Sequence, residues 1–222
     1  MKRTLAAAAA VVLLGAPPIL AFDAAAVQAT LATKYCYSCD LSAADLAGAD
    51  LAGVYLTYSN LTGANLSGAD LAAGFIQLAV LADANLAGAN LADATLEGAT
   101  LRGADFSGAN LANASFSNAA LGGARLDDAI AAGANFSRAN MRNASFRGTD
   151  LSGANLANTV ASGVDFTGAN LAGATLNRTS VTGTNFTDAD LTGATVTAVN
   201  FAGAIVCRTR MPDGTLTSTN CP

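Results

Sequence analysis

Thiols are the most reactive side chains in this sequence. Cys36 and Cys39 form a C-x-x-C within YCYSCD, and Cys207 and Cys221 bracket CRTRMPDGTLTSTNC near the other end. A C-x-x-C with an accessible thiolate in a suitable fold is a redox centre; in an oxidising compartment the same spacing is a structural disulfide. Little else supports reaction chemistry. The chain has no histidine, the commonest general base and metal ligand, and no tryptophan. Serines and acids recur at equivalent positions without a partner to activate them, and no glycine-rich stretch forms a phosphate-binding loop. No catalytic residue, metal site or cofactor is expected, and the chain is read as a non-enzyme.

The elements that place these residues are set by one rhythm. From Leu41 through Leu46, Leu51 and Leu56 to Phe201 and Val206, every fifth residue is Leu, Phe, Ile, Val or Met, with Ala131 and Ala161 as the lapses. Two residues before each stands a small residue, usually alanine (Ala44, Ala49, Ala64, Ala69), and Asp, Asn, Ser or Thr mostly fills the place between. A period of five fits neither a helix face nor a flat strand. Each unit is therefore one structural step, too short to bury its own apolar residue, and successive steps must wind into a solenoid.

The units, ADLAG or ANLSG, closely resemble the A(D/N)LXX consensus of the pentapeptide-repeat family. That resemblance implies an all-β fold, a right-handed quadrilateral β-helix with one unit per face and four faces per coil. The chain supports four: Phe146, Phe166 and Phe186 recur at twenty-residue intervals, as do Phe116 and Phe136, with Phe106 at a double interval from Phe146. At a coil spacing of roughly 4.8 Å, about eight coils give a rod on the order of 40 Å long.

The ends carry different signals. Residues 1–21 have a basic start at Lys2 and Arg3, a short apolar run and Pro17–Pro18, the layout of a cleavable secretory signal. The run is short for a membrane anchor, so no span is expected after its removal. Residues 22–35 are expected to form a short capping helix, with Asp23 at its amino end and Ala24, Val27, Leu31 and then Lys34 or Tyr35 along one face. The repeat array is placed at 36–206 and a cap at 207–222. The two cysteine pairs lie at opposite ends of the rod, so only the local pairings Cys36–Cys39 and Cys207–Cys221 can close, and the exported setting favours the structural role for both. MPDG supplies the turn of a hairpin that the second disulfide closes. Both motifs look like end caps of exported members of the family.

On the outside, two stretches break the polar pattern: VYLTYS at 54–59 and GFIQLAV at 74–80. Tyr55 and Phe75 hold equivalent outward positions one coil apart, as do Tyr58 and Leu78, with Tyr35 and Val80 beside them. These four residues are the candidate binding surface; the alternative is that the capping helix or a bulge folds over them. A second feature is the row Asp50, Asp70, Asp150 and Asp190 with Asn90, Asn110 and Asn170. Some family members imitate DNA with an acidic rod and bind a type II topoisomerase as dimers joined at their carboxy ends; the other reading is a ladder of Asp and Asn bonded along the stack. Arg102 with Arg142, and Arg138 with Arg178, form columns, and Arg125 is expected to pair with Asp105. The N-x-S/T triplets, such as those at Asn65 and Asn185, arise from the repeat and are no evidence of glycosylation.

Without Lys2 and Arg3, nine of eleven basic residues remain against sixteen acids, which disfavours contact with nucleic acid. The expectation is an exported structural or protein-binding rod, monomeric or weakly dimeric, in the periplasm or an equivalent oxidising compartment or secreted, with an unknown protein partner. An acidic DNA mimic acting on a topoisomerase is the alternative.

Overall fold

The computed structural model describes residues 23–221. The expected leader, residues 1–21, lies outside the described residues. Within them, no helix is long and apolar enough to cross a membrane.

The five-residue unit folds into one short extended step and one corner. Its outward residue bridges in parallel to the residue twenty positions later, from Tyr35 with Tyr55 to Asp190 with Arg210, so four units make one coil. This is the expected right-handed quadrilateral β-helix. The backbone bonds follow a fixed rule. The N–H of a large central residue donates to the carbonyl nineteen residues ahead, Leu41 N to Asn60 O at 2.7 Å, while the N–H of the outward residue donates back, Asn60 N to Cys39 O at 2.8 Å. Each coil thereby satisfies the edges of its neighbours.

At each corner the chain turns through four residues closed by a bond such as Ala44 N to Leu41 O, 3.1 Å. The third residue of that turn adopts left-handed φ: 62° at Gly48, 57° at Asn113. This explains why glycine, asparagine or aspartate so often follows the large residue by two places. At the outward position, Asp or Asn caps the next corner. The Oδ1 of Asn65 accepts from the N–H and hydroxyl of Ser67, at 3.3 and 2.8 Å, while its Nδ2 donates to Asp45 at 2.9 Å. The N-x-S triplet here is thus a structural device.

Large and small residues fill the interior together. Six phenylalanines, from Phe106 to Phe186, are fully buried. Those one coil apart lie ring over ring, stacked in Phe116 and Phe136 with centroids 4.9 Å apart and tilted by 39° in Phe146 and Phe166, and those ten residues apart meet edge-on across the coil, Phe106 and Phe116 at 5.9 Å. The two lapses in the rhythm have a shared remedy. Met141, also buried, stands ten residues from Ala131 and twenty from Ala161, so it lies across the coil from one and one coil from the other. A flexible thioether suits the irregular space both leave. Where Thr replaces Ala at the small position, its hydroxyl finds a carbonyl: Thr149 Oγ1 donates to Leu126 O of the preceding coil at 2.7 Å, and Thr159 Oγ1 to Leu156 O of its own turn at 2.8 Å.

At the amino end, α1 (Ala24–Thr33) begins at Asp23, whose Oδ1 accepts from the N–H groups of Ala25 and Ala26 at 2.9 and 3.1 Å. It buries Val27 and Thr30 against the first coil and ends with Lys34 in the left-handed conformation. The expected face is corrected here: Leu31 is exposed and Thr30 takes the inward place, its hydroxyl bonded to Ala26 O at 2.7 Å. At the carboxy end, β1 (Val206–Arg210) stacks on the final repeats and pairs antiparallel with β2 (Leu216–Thr219). The turn between them falls on MPDG, with Gly214 at φ 83°.

Candidate binding surface

Both disulfides close locally. Cys36–Cys39 has Cα atoms 5.5 Å apart and Cys207–Cys221 5.0 Å, so among the described residues there is no free thiol. The first stands at the mouth of the rod. Buried Ser59 ties it in, donating to Cys36 O at 2.6 Å and accepting from Cys39 N at 3.1 Å.

The same turn carries the start of an aromatic surface. Tyr35, Tyr55 and Phe75 form a column on one face, with centroids 5.9 and then 4.6 Å apart. Tyr58 and Leu78 form a second column at the adjoining corner, and Tyr37, from inside the C-x-x-C, packs edge-on against Tyr58 at 5.6 Å. The four expected residues are brought together, and none is covered: Tyr55 is 47% exposed, Tyr58 51%, Phe75 38% and Leu78 46%. The alternative, burial beneath α1 or a bulge, is not what forms, because α1 packs on the end of the coil and not along this face. Sequence reasoning missed Tyr37; its position between two cysteines was the signal, since a disulfide-closed turn cannot draw its middle residues inward.

Backbone geometry sets the corner pair apart. Tyr58 and Leu78 have φ of 63° and 58°. Among the described residues, the other non-glycine residues in this conformation are small or polar, and these two alone are large and apolar. Such a residue in the left-handed region costs on the order of 1 kcal/mol.

The acidic row is largely a bonded ladder. Asn90 Nδ2 donates to Asp70 Oδ1 at 2.9 Å, Asn110 to Asn90 at 3.0 Å and Asn170 to Asp150 at 2.9 Å. Ile130 interrupts it and Arg210 ends it. One expected ion pair is corrected: Arg125 sits 3.6 Å from Asp127, two residues along its own face, and forms no contact ion pair with Asp105. Burial pushes the Asp105 carboxyl upward, but bonds from Ser107 and the charge of Arg125 outweigh it and hold it low. Other pairs are Arg147–Asp165 at 3.2 Å, Lys34–Asp50, and Arg208–Asp188, where Nη2 lies 2.5 Å from Oδ2. Among the described residues, no cluster of three His, Cys, Asp or Glu side chains is placed to hold a metal ion.

A known family shares this repeat. The family model described as pentapeptide repeats matches eight copies, over residues 35–71, 79–118, 109–148, 119–158, 149–188 and 169–206. Among solved structures, HetL, a pentapeptide repeat protein involved in heterocyst differentiation regulation from the cyanobacterium Nostoc sp. strain PCC 7120, is 27% identical. That match covers 86% of this chain and 97% of HetL, with a TM-score of 0.44. A pentapeptide repeat protein of the Arabidopsis thaliana thylakoid lumen is 38% identical over 43% of this chain and 67% of its own, with a TM-score of 0.43. QnrB1, a plasmid-mediated fluoroquinolone resistance protein, is 21% identical over 73% of this chain and 83% of its own, with a TM-score of 0.39. Among proteins with curated descriptions none matches significantly.

Proposed function

From the premise that this chain belongs to the pentapeptide-repeat family, we propose that it is an exported, non-enzymatic rod that binds another protein. The contact surface is formed by Tyr55, Tyr58, Phe75 and Leu78, flanked by Tyr35 and Tyr37. One observation carries this reading: six large apolar side chains lie side by side and exposed on a molecule whose outward positions are otherwise mainly polar. Contiguous apolar surface on a soluble chain marks contact sites, and tyrosine is enriched where binding energy concentrates. The interior leaves no room for reaction chemistry, since it is filled by aliphatic and phenyl groups. Two closed disulfides fit an oxidising compartment, the periplasm or its equivalent.

The DNA-mimic alternative gains nothing from the geometry. The row it would use mixes charge with neutral amides, never more than two carboxylates in succession, and contains Ile130 and Arg210, so it lacks a phosphate-like run of charge. The test of the main reading is in-cell photocrosslinking. A benzophenone amino acid at Tyr58 should capture a defined protein, and the same group at Asn158, four corners of the same column away from the patch, should not. Equal capture from both positions would remove the surface from consideration.

A further inference from the structure

The amino-terminal third differs from the rest of the rod in charge as well as in its rings. Between Tyr35 and Glu97 the chain carries seven carboxylates and no lysine or arginine, and Lys34, just before, is bonded to Asp50. Within the repeat array the first arginine is Arg102.

At the foot of the aromatic surface, beginning at Leu78 one coil below Tyr58, lies an open hollow of about 290 Å³ lined by Gln77, Leu78, Glu97, Gly98 and Asn118. Its composition departs from the repeat pattern. Glu97 is the one glutamate in the chain, and Gln77 is the one glutamine within the array. Elsewhere the pattern uses the short acids and amides that bond to their own corners; here two longer side chains stand in one column. Ser115 Oγ donates to Glu97 Oε1 at 3.0 Å, and Thr57 donates to Gln77 Oε1 at 3.2 Å. These bonds orient the head groups and leave the second carboxylate oxygen of Glu97 open. The floor is Gly98, where a Cβ would come within 2.8 Å of the Leu78 side chain. A carboxylate, two amides and an aliphatic wall around a shallow hole match the guanidinium or ammonium head of a long side chain. The tyrosine rings above attract the same cation through their faces.

We propose that this surface takes a cationic polypeptide segment. An arginine or lysine of the partner seats against Glu97 while the apolar residues beside it lie on Tyr55, Tyr58 and Phe75. The inference rests on the reading of those rings as a contact surface and adds the charge of what they meet.

The test is fluorescence anisotropy with the full chain and a short labelled peptide alternating arginine with phenylalanine or leucine. The second probe is the same peptide with citrulline, the neutral isostere, at each arginine. The arginine peptide should bind, and citrulline or the substitution Glu97→Gln should each weaken binding about tenfold, the value of one charged contact. Asp213→Asn, which removes one charge at the far end, should change nothing. Failure of the arginine peptide to bind, or equal binding of the citrulline peptide, overturns the cationic partner. So does loss of the same size from Asp213→Asn, which would mean net charge alone, or complete displacement by spermine, which would mean a site for small polyamines. If instead the arginine peptide binds and Glu97→Gln weakens it while Tyr55→Ala and Phe75→Ala do not, the contact-surface reading fails and the hollow stands alone.

Discussion

Tyr55 and Phe75, bridged across one coil, stack with ring centroids 4.6 Å apart and planes 13° from parallel. Inside the rod Phe116 and Phe136 hold the same relation at 4.9 Å and 5°. The interior pair is fully buried and the surface pair nearly half exposed, so the same geometry has different energetic weight. Tyr55→Ala should lower stability by no more than about 1.5 kcal/mol, the value of an aromatic pair. Phe136→Ala, which opens a cavity, should cost about 3 to 5 kcal/mol. Urea denaturation of both variants measures the difference. Equal losses would mean that the surface ring is part of the folding core.

Met141 compensates for two short side chains at once, those of Ala131 and Ala161. Met141→Ala would leave three methyl groups in one region of the interior, where a single long side chain now fills the space. The expected loss is at the upper end of the range for large-to-small changes, about 4 to 5 kcal/mol, whereas Met141→Leu should cost under about 1.5 kcal/mol. If Met141→Ala costs no more than a typical core truncation, the gap-filling account is wrong.

Arg208 holds the terminal hairpin to the coil before it. Its Nε and Nη2 donate to the two oxygens of Asp188 at 2.6 and 2.5 Å, and these bonds hold the Asp188 carboxyl below the ordinary carboxylate range. A depressed carboxyl stabilises fully above its unfolded value, near 3.9, and the contribution is lost as pH falls through the lower folded value. Amide exchange in β1 should therefore accelerate as pH falls below about 4, corrected for intrinsic rates. Asp190 and Asp213 are also held low, by the hydroxyls of Thr192 and Thr215, so the diagnostic quantity is the difference between wild type and Asp188→Asn. That difference should vanish at low pH and shrink in high salt, because both partners are solvent-facing. A difference independent of pH would assign the effect to packing.

The rod was legible because a solenoid repeats one local decision. Central residues such as Leu41 and Phe186 announce the interior by spacing alone, and the phenylalanine intervals disclose the coil. The four surface residues were legible for the opposite reason: Tyr55, Tyr58, Phe75 and Leu78 violate a pattern that their neighbours keep. What stayed hidden depends on side-chain direction at places without a repeat. Whether Leu31 or Thr30 faces the coil turns on the angle at which α1 docks, which a helical period cannot supply. Arg125 could reach Asp105 or Asp127 with equal ease in the sequence, and a flexible arm chooses by local geometry. Glu97 was overlooked although it is the one glutamate, because a single long acid among many short ones does not interrupt the apolar rhythm.

Tyr58 offers the sharpest separation of folding from binding. Its φ of 63° is the conformation in which Gly48 and Gly53 serve at other corners, so the ring is held at a backbone cost that glycine avoids. Tyr58→Gly relieves that cost but loses the edge-on contact with Tyr37, and the two effects, each about 1 kcal/mol, should nearly cancel. Tyr58→Ala loses the contact and keeps the strained backbone, so it should be less stable than Tyr58→Gly by about 1 kcal/mol. Both should lose partner capture to the same degree, since both lack the ring. Denaturant midpoints paired with crosslinking yields, the benzophenone amino acid now placed at Tyr35, check this. A glycine variant as unstable as the alanine one would show that the corner is not strained, and retained capture by either would show that the ring serves the fold alone.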